Sequence, residues 1–167
     1  MNQETILRIA ALGAVAGMRA AAAPALVSAY LRQRGPRPFQ ASRFRWLATD
    51  EAGSLLKLAA AGELAADKLP FLPDRISLLP LLGRAASGAF VGAALSEAAG
   101  EPPAAGAALG AAAAVASAYV MYHLRRTAGD KLGLPDPLLA VLEDGLALRG
   151  GSSVLGIAPP IEPRGFL

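Results

Sequence analysis

Cysteine is absent from the 167 residues. That excludes a disulfide framework, a thiolate metal site and a thiol nucleophile. Histidine occurs once, at His123, and no second ligand cluster accompanies it, so neither a metal nor another cofactor is expected. His123 stands beside Tyr122 and Arg125 at the end of an apolar run, where it reads as an interfacial anchor. Aromatics make up 5% and charged residues 17%, against about 25% charged in a soluble domain. The sequence also lacks G-x-x-x-x-G-K, G-x-G-x-x-G and G-x-S-x-G. "GRAASGAF" has the glycine spacing of a phosphate loop without its lysine. A lipid-directed enzyme using Glu63 and Asp67 as an acid–base pair would need a nucleophile or metal set, and none is visible. An enzyme is therefore not expected.

What the sequence does contain is small and apolar. Hydrophobic residues reach 54%, mean hydropathy is +0.42, and alanine, leucine and glycine dominate. Small side chains suit helices packed in lipid, where close backbone approach replaces the hydrophobic effect. The rival reading is a soluble alanine-rich helical protein of biased composition. The net charge of +3 does not point to nucleic acid, because the bases sit at the ends of apolar runs in the manner of membrane topology. The fold expected is all-α: a polytopic helical membrane protein with three or four spans plus short half-helices, in a glycine/alanine-packed bundle. One domain covers 1–150, and 151–167 reads as an irregular tail.

Ile6–Leu31 is long enough to span, although Arg19 interrupts it and Pro24 can kink it and free a carbonyl. A signal peptide ending at "AAAAPA" is disfavoured by Glu4 and by Arg19. A basic loop follows, Arg32–Asp50, in which Phe44 and Trp46 suit an interface. Glu51–Leu69 reads as a helix with too short an apolar part to span well, ended by Pro70. Leu81–Ala99 and Ala104–Tyr122 are further spans, joined by the turn "GEPP". A short helix, Leu138–Leu148, is expected to stop at "GGSS". The Lys and Arg distribution puts the Arg32–Arg45 loop and Arg125, Arg126 and Lys131 on the cytoplasmic side, with the N-terminus and Glu101 outside. That is consistent with three spans if Glu51–Leu69 re-enters, whereas a full crossing gives four. "VSAYLRQRG" and "ASAYVMYHLRRTAG" echo one another, each followed by a helix with acids, as a duplicated unit would be.

Three Gly-x-x-x-Gly pairs stand out: Gly13/Gly17, Gly88/Gly92 and Gly106/Gly110. Each puts two glycines on one helix face, and packing within the chain is favoured over a dimer seam. Glu63 and Asp67 share a face at i, i+4. Asp67 would stand at a helix C-terminus, where it needs a cation, with Lys68, Arg75, Arg84 and Arg19 as candidates. An intramembrane Arg19 costs at least ~2.5 kcal/mol unless paired, and Glu63 or Glu143 is the preferred partner.

"GMRAAAAPAL", "GELAADKLPFLPDR", "LLGRAASGAFVGAAL", "LRR" and "LPDPLLAVLEDGLAL" together resemble a bacterial family of small uncharacterised membrane proteins, a domain of unknown function. The likeness runs from about Gly17 to Gly150, and "GEL-x-x-DK-x-P" with the later "ED" is its most specific part. The resemblance implies an integral, multi-pass protein of the bacterial inner membrane and supplies no activity. Arg19, Glu63, Asp67, Lys68, Arg84, Glu143 and Asp144 fall on its motifs. Two functions are carried forward. One is a transporter or channel for a cation or proton-coupled solute, which at this size needs a homo-oligomer to enclose a path. The other is a structural or assembly protein of the lipid bilayer whose charges are internal ion pairs.

Overall fold

The structure is a computed structural model, and it describes residues 1–34, 42–66, 77–133 and 135–157. Among these residues six α-helices follow one another: α1 (Gln3–Met18), α2 (Ala22–Arg34), α3 (Asp50–Ala66), α4 (Leu78–Ala98), α5 (Pro103–Leu132) and α6 (Asp136–Leu155). A 3-10 turn, Arg45–Ala48, precedes α3. No strand occurs among the described residues.

The long apolar stretch Ile6–Leu31 is not one helix. It breaks at Arg19–Ala21 and reverses. Arg8 and Tyr30 each lie eleven residues from Arg19, and Arg8 Nη1 donates to the Tyr30 hydroxyl at 2.8 Å. A straight helix would hold these residues about 33 Å apart. The cause is Pro24: in a continuous helix its ring would press on the carbonyl of Ala20, and its nitrogen could not bond to it. The chain leaves the helix just before that point and restarts with Pro24 in the first turn of α2, where a missing N–H costs nothing.

This reversal corrects the expected topology. Asn2 N–H donates to Glu101 at 2.7 Å, so α1 starts beside the α4–α5 turn. α2 returns to that same end, where Arg34 stacks on Tyr30 and Arg43 N–H donates to Glu97 at 2.9 Å. Arg34 and Arg43 therefore share an end with Glu101, and Arg125 and Arg126 lie at the other. With bases at both ends, the charge rule selects no orientation. α3 starts beside Arg32, whose guanidinium bonds Asp50 at 2.9 Å, and descends to the break. Successive helices thus alternate in direction, and the two echoed segments, in α2 and α5, run oppositely.

α1, α4 and α5 form the tightest part of the bundle, and glycine makes it so. A Cβ on Gly92 would strike the carbonyl oxygen of Gly106, and one on Gly88 that of Gly110; the reverse substitutions meet the same helix. Gly13 lies against Gly110, and Gly17 against Ala114. All three glycine pairs therefore converge on α5, inside one chain. Ile9, Leu12, Val15, Val27, Leu31 and Val91 fill the adjoining core. Phe44 and Trp46 pack on Phe90, with ring centroids 5.5 and 5.9 Å apart.

Among the described residues two helices, α4 and α5, are long and apolar enough to cross a membrane. Only 33% and 22% of their most apolar windows is buried, whereas a core helix of a water-soluble domain is mostly covered. α1 and α2, at 16 and 13 residues, are shorter than the roughly 20 residues a span requires, so helix length does not carry the expected count of three or four. α6 also departs from expectation. It passes through Gly150–Ser153 to Leu155, because Gly151 is the contact point: a Cβ there would meet Leu26 and Val15. Close packing outweighs the weak helix propensity of that run.

Candidate functional site: the charged break between α1 and α2

A helix that stops inside a bundle leaves carbonyls at one end and N–H groups at the other without partners. Here each set is met by a side chain from another helix. Arg84 of α4, 6% exposed, donates through Nη1 to the carbonyls of Gly17 and Met18 at the end of α1, the latter at 2.7 Å. Glu63 of α3 accepts the N–H groups of Ala20 and Ala21 at 2.8 and 2.7 Å, one on each carboxylate oxygen. The guanidinium thus faces a helix C-terminus and the carboxylate a helix N-terminus, as the helix dipoles favour. Both contacts are charge-assisted and stronger than neutral hydrogen bonds.

Hydroxyls complete the bonding. Ser87 Oγ donates to Ala20 O at 2.5 Å, the carbonyl that Pro24 cannot serve. Ser117 Oγ donates to Ala14 O at 2.8 Å. Arg19 itself closes α1 through its own N–H to Val15 O at 2.7 Å. Its side chain, 4% exposed, turns toward α6, where Nε meets Asp144 Oδ1 at 2.5 Å.

The expected partner of Arg19 was Glu63 or Glu143; the ion pair falls instead on Asp144. Glu63 is committed to backbone N–H groups, and Glu143, also 4% exposed, pairs with Arg125 of α5 at 3.5 Å. Adjacent residues on a helix point about 100° apart, so Glu143 and Asp144 serve different neighbours, α5 and α1. Asp67 and Lys68 lie outside the described residues. Of the expected cluster, Arg19, Glu63, Arg84 and Asp144 therefore meet at the break, and Glu143 stands one helix face away. Sequence reasoning did not single out Ser87, Ser117 or Arg125 for this site. Ser87 lies three residues from Arg84 on the same helix face, and that spacing was the available signal.

A cavity of about 30 Å³ remains between Arg19, Ala22, Ala60, Glu63, Asp144 and Leu148. It is large enough for one water, but its walls are mainly apolar. Chemically, the arrangement can hold a broken helix and keep opposite charges together in a partly buried site.

The family profile described as Domain of unknown function (DUF4126) matches residues 6–162. The chain belongs to that family. No curated protein and no solved structure matches it.

Proposed function

We propose that the protein is a multi-pass component of the bacterial cytoplasmic membrane with a structural or assembly role, and that its intramembrane charges are internal braces. The observation that carries this reading is the commitment of the charges. Glu63 uses both oxygens on one helix end, Arg84 bonds two carbonyls of the other, and Asp144 holds Arg19. Taken from water, such groups are tolerable only when paired and hydrogen-bonded. The largely uncovered apolar surfaces of α4 and α5 support the bilayer as the surrounding partner.

A second reading, transport of a proton or cation through a homo-oligomer, is favoured by one observation. The water-sized cavity touches Glu63, Asp144 and Arg19 at a broken helix, the arrangement that secondary transporters use at their sites.

The variant Glu63→Gln separates the two. It keeps one acceptor and removes the charge. The bracing role requires lower yield and a lower unfolding midpoint in detergent, with no cation or proton flux in liposomes from either form. Flux in the parent protein that disappears in a well-folded Glu63→Gln would sink the bracing role in favour of transport.

A further inference from the structure

We propose that the cleft between α5 and α6 binds an anionic phospholipid, with an acyl chain along its leucines and the phosphate at the Arg125 end. The inference rests on the membrane reading above and adds a ligand to it.

The cleft has a structural cause. α6 is drawn toward α1 and α2 by Asp144, buried Ala147 and Gly151. It meets α5 only sparingly. A space of about 220 Å³ opens between them, walled by Met121, Leu124 and Ala128 of α5 and Leu139, Leu142 and Leu146 of α6. On each helix these positions follow the i, i+3, i+7 spacing of a single face. Leu124, Leu142 and Leu146 are 56%, 58% and 57% exposed, so no other part of the described chain closes the cleft.

The lining is mainly apolar and includes one ion pair, Arg125 with the buried Glu143 at 3.5 Å. α5 carries no charge from Pro103 to Tyr122, and then Arg125, Arg126 and Lys131 follow; Glu143 of α6 and Asp130 of α5 pair with the two arginines, and Lys131 is left as the excess positive charge among these five groups. Lys131 stands three residues beyond Ala128, on the cleft side of α5. Arg126 is well exposed and meets Asp130 only at 3.8 Å. The site therefore offers an apolar trough that leads to a group of cations where an uncharged helix segment ends. That is the charge pattern of an amphiphile with one anionic head, and basic pockets between membrane helices commonly take such headgroups.

The test uses the full chain purified in detergent. Thermal unfolding is followed with phosphatidylglycerol and with phosphatidylcholine of identical acyl chains. Phosphatidylglycerol at ten times its half-saturating concentration should raise the midpoint by about 3–6 °C beyond phosphatidylcholine. Leu142→Trp, which fills the trough, and Lys131→Gln, on the exposed rim, should each remove that difference. If Leu142→Trp fails to fold, Lys131→Gln carries the comparison alone. Equal shifts from the two lipids, a headgroup difference that survives in both variants, or disulfide cross-linking of Leu142→Cys between two copies would each overturn the lipid site. Membrane fractionation tells the two failures apart. A protein recovered in the soluble fraction without detergent removes the membrane reading along with the lipid site. A membrane-bound protein indifferent to headgroup removes the lipid site alone.

Discussion

Arg84 and Glu63 bind opposite sides of the same three-residue gap, Arg84 on the carbonyls of Gly17 and Met18 and Glu63 on the N–H groups of Ala20 and Ala21. Two helices distant in sequence thereby stabilise the ends of a third that is interrupted. Arg84→Met should lower stability by about 1–3 kcal/mol, the usual cost of leaving buried acceptors unmet. Arg84→Lys should recover only part of it, because an ammonium lacks the planar fork. Unfolding midpoints in a graded SDS series measure both, and an unchanged midpoint in Arg84→Met would remove the capping role.

The Ser87 hydroxyl matters because Pro24 offers no N–H to Ala20 O. Ser87→Ala should cost about 1 kcal/mol in the parent chain. It should cost less in a Pro24→Ala background, where a backbone donor becomes available. A double-mutant cycle reads this coupling directly, and additive effects would contradict it.

Asp144→Asn should be the most damaging single change at the break. It weakens one partner of an arginine whose side chain is 4% exposed, and a hydrogen bond to a charged group contributes about 1.5–3 kcal/mol. Replacing both members, Arg19→Met with Asp144→Leu, should cost less than Asp144→Asn alone. The reverse ranking in unfolding measurements would mean that the pair contributes net stability of its own.

Alanine at different glycines should act with opposite sign. Gly92→Ala places a methyl group against the Gly106 carbonyl, so it should destabilise by about 1–3 kcal/mol. Gly129→Ala, in α5 with nothing within 4 Å of the added carbon, should stabilise by up to about 1 kcal/mol. Matching effects at the two positions would contradict the close packing of α4 on α5.

Because the chain has no cysteine of its own, single cysteines report sidedness cleanly. Ser42→Cys should react with an impermeant maleimide from one face of the membrane, and Ser77→Cys and Thr127→Cys from the other. Labelling of Ser42→Cys and Thr127→Cys from the same face would rule out the reversed path of α2.

Several of these features were legible in the residues. The glycine pairs mark where backbones approach, because only glycine permits that distance. Pro24 announced a kink and a freed carbonyl. The need of a buried Arg19 for an acid followed from the cost of its charge. What the sequence withheld was direction. A kinked helix and a hairpin share the same proline, and only contacts such as Arg8 with Tyr30 tell them apart. The identity of the acid was hidden for a similar reason: Glu143 and Asp144 are adjacent, and which one faces α1 depends on how α6 is rotated in the bundle. The continuation of α6 past Gly150 and Gly151 was masked because glycine weakens a helix by propensity and strengthens this one by fit.

The tie between Asn2 and Glu101 has a consequence in time. A ribosome delivers α1 first, yet almost everything that holds it comes later: Arg84, Gly88, Gly92 and Glu101, then the whole inner face of α5, and last Asp144. When residue 66 emerges, the first hairpin has its Glu63 but neither the guanidinium for its carbonyls nor the glycine surface to lie against. The early half of the protein must wait in an unfinished state until α6 is made, and a chain released before that point would present its break and charges to whatever surrounds it.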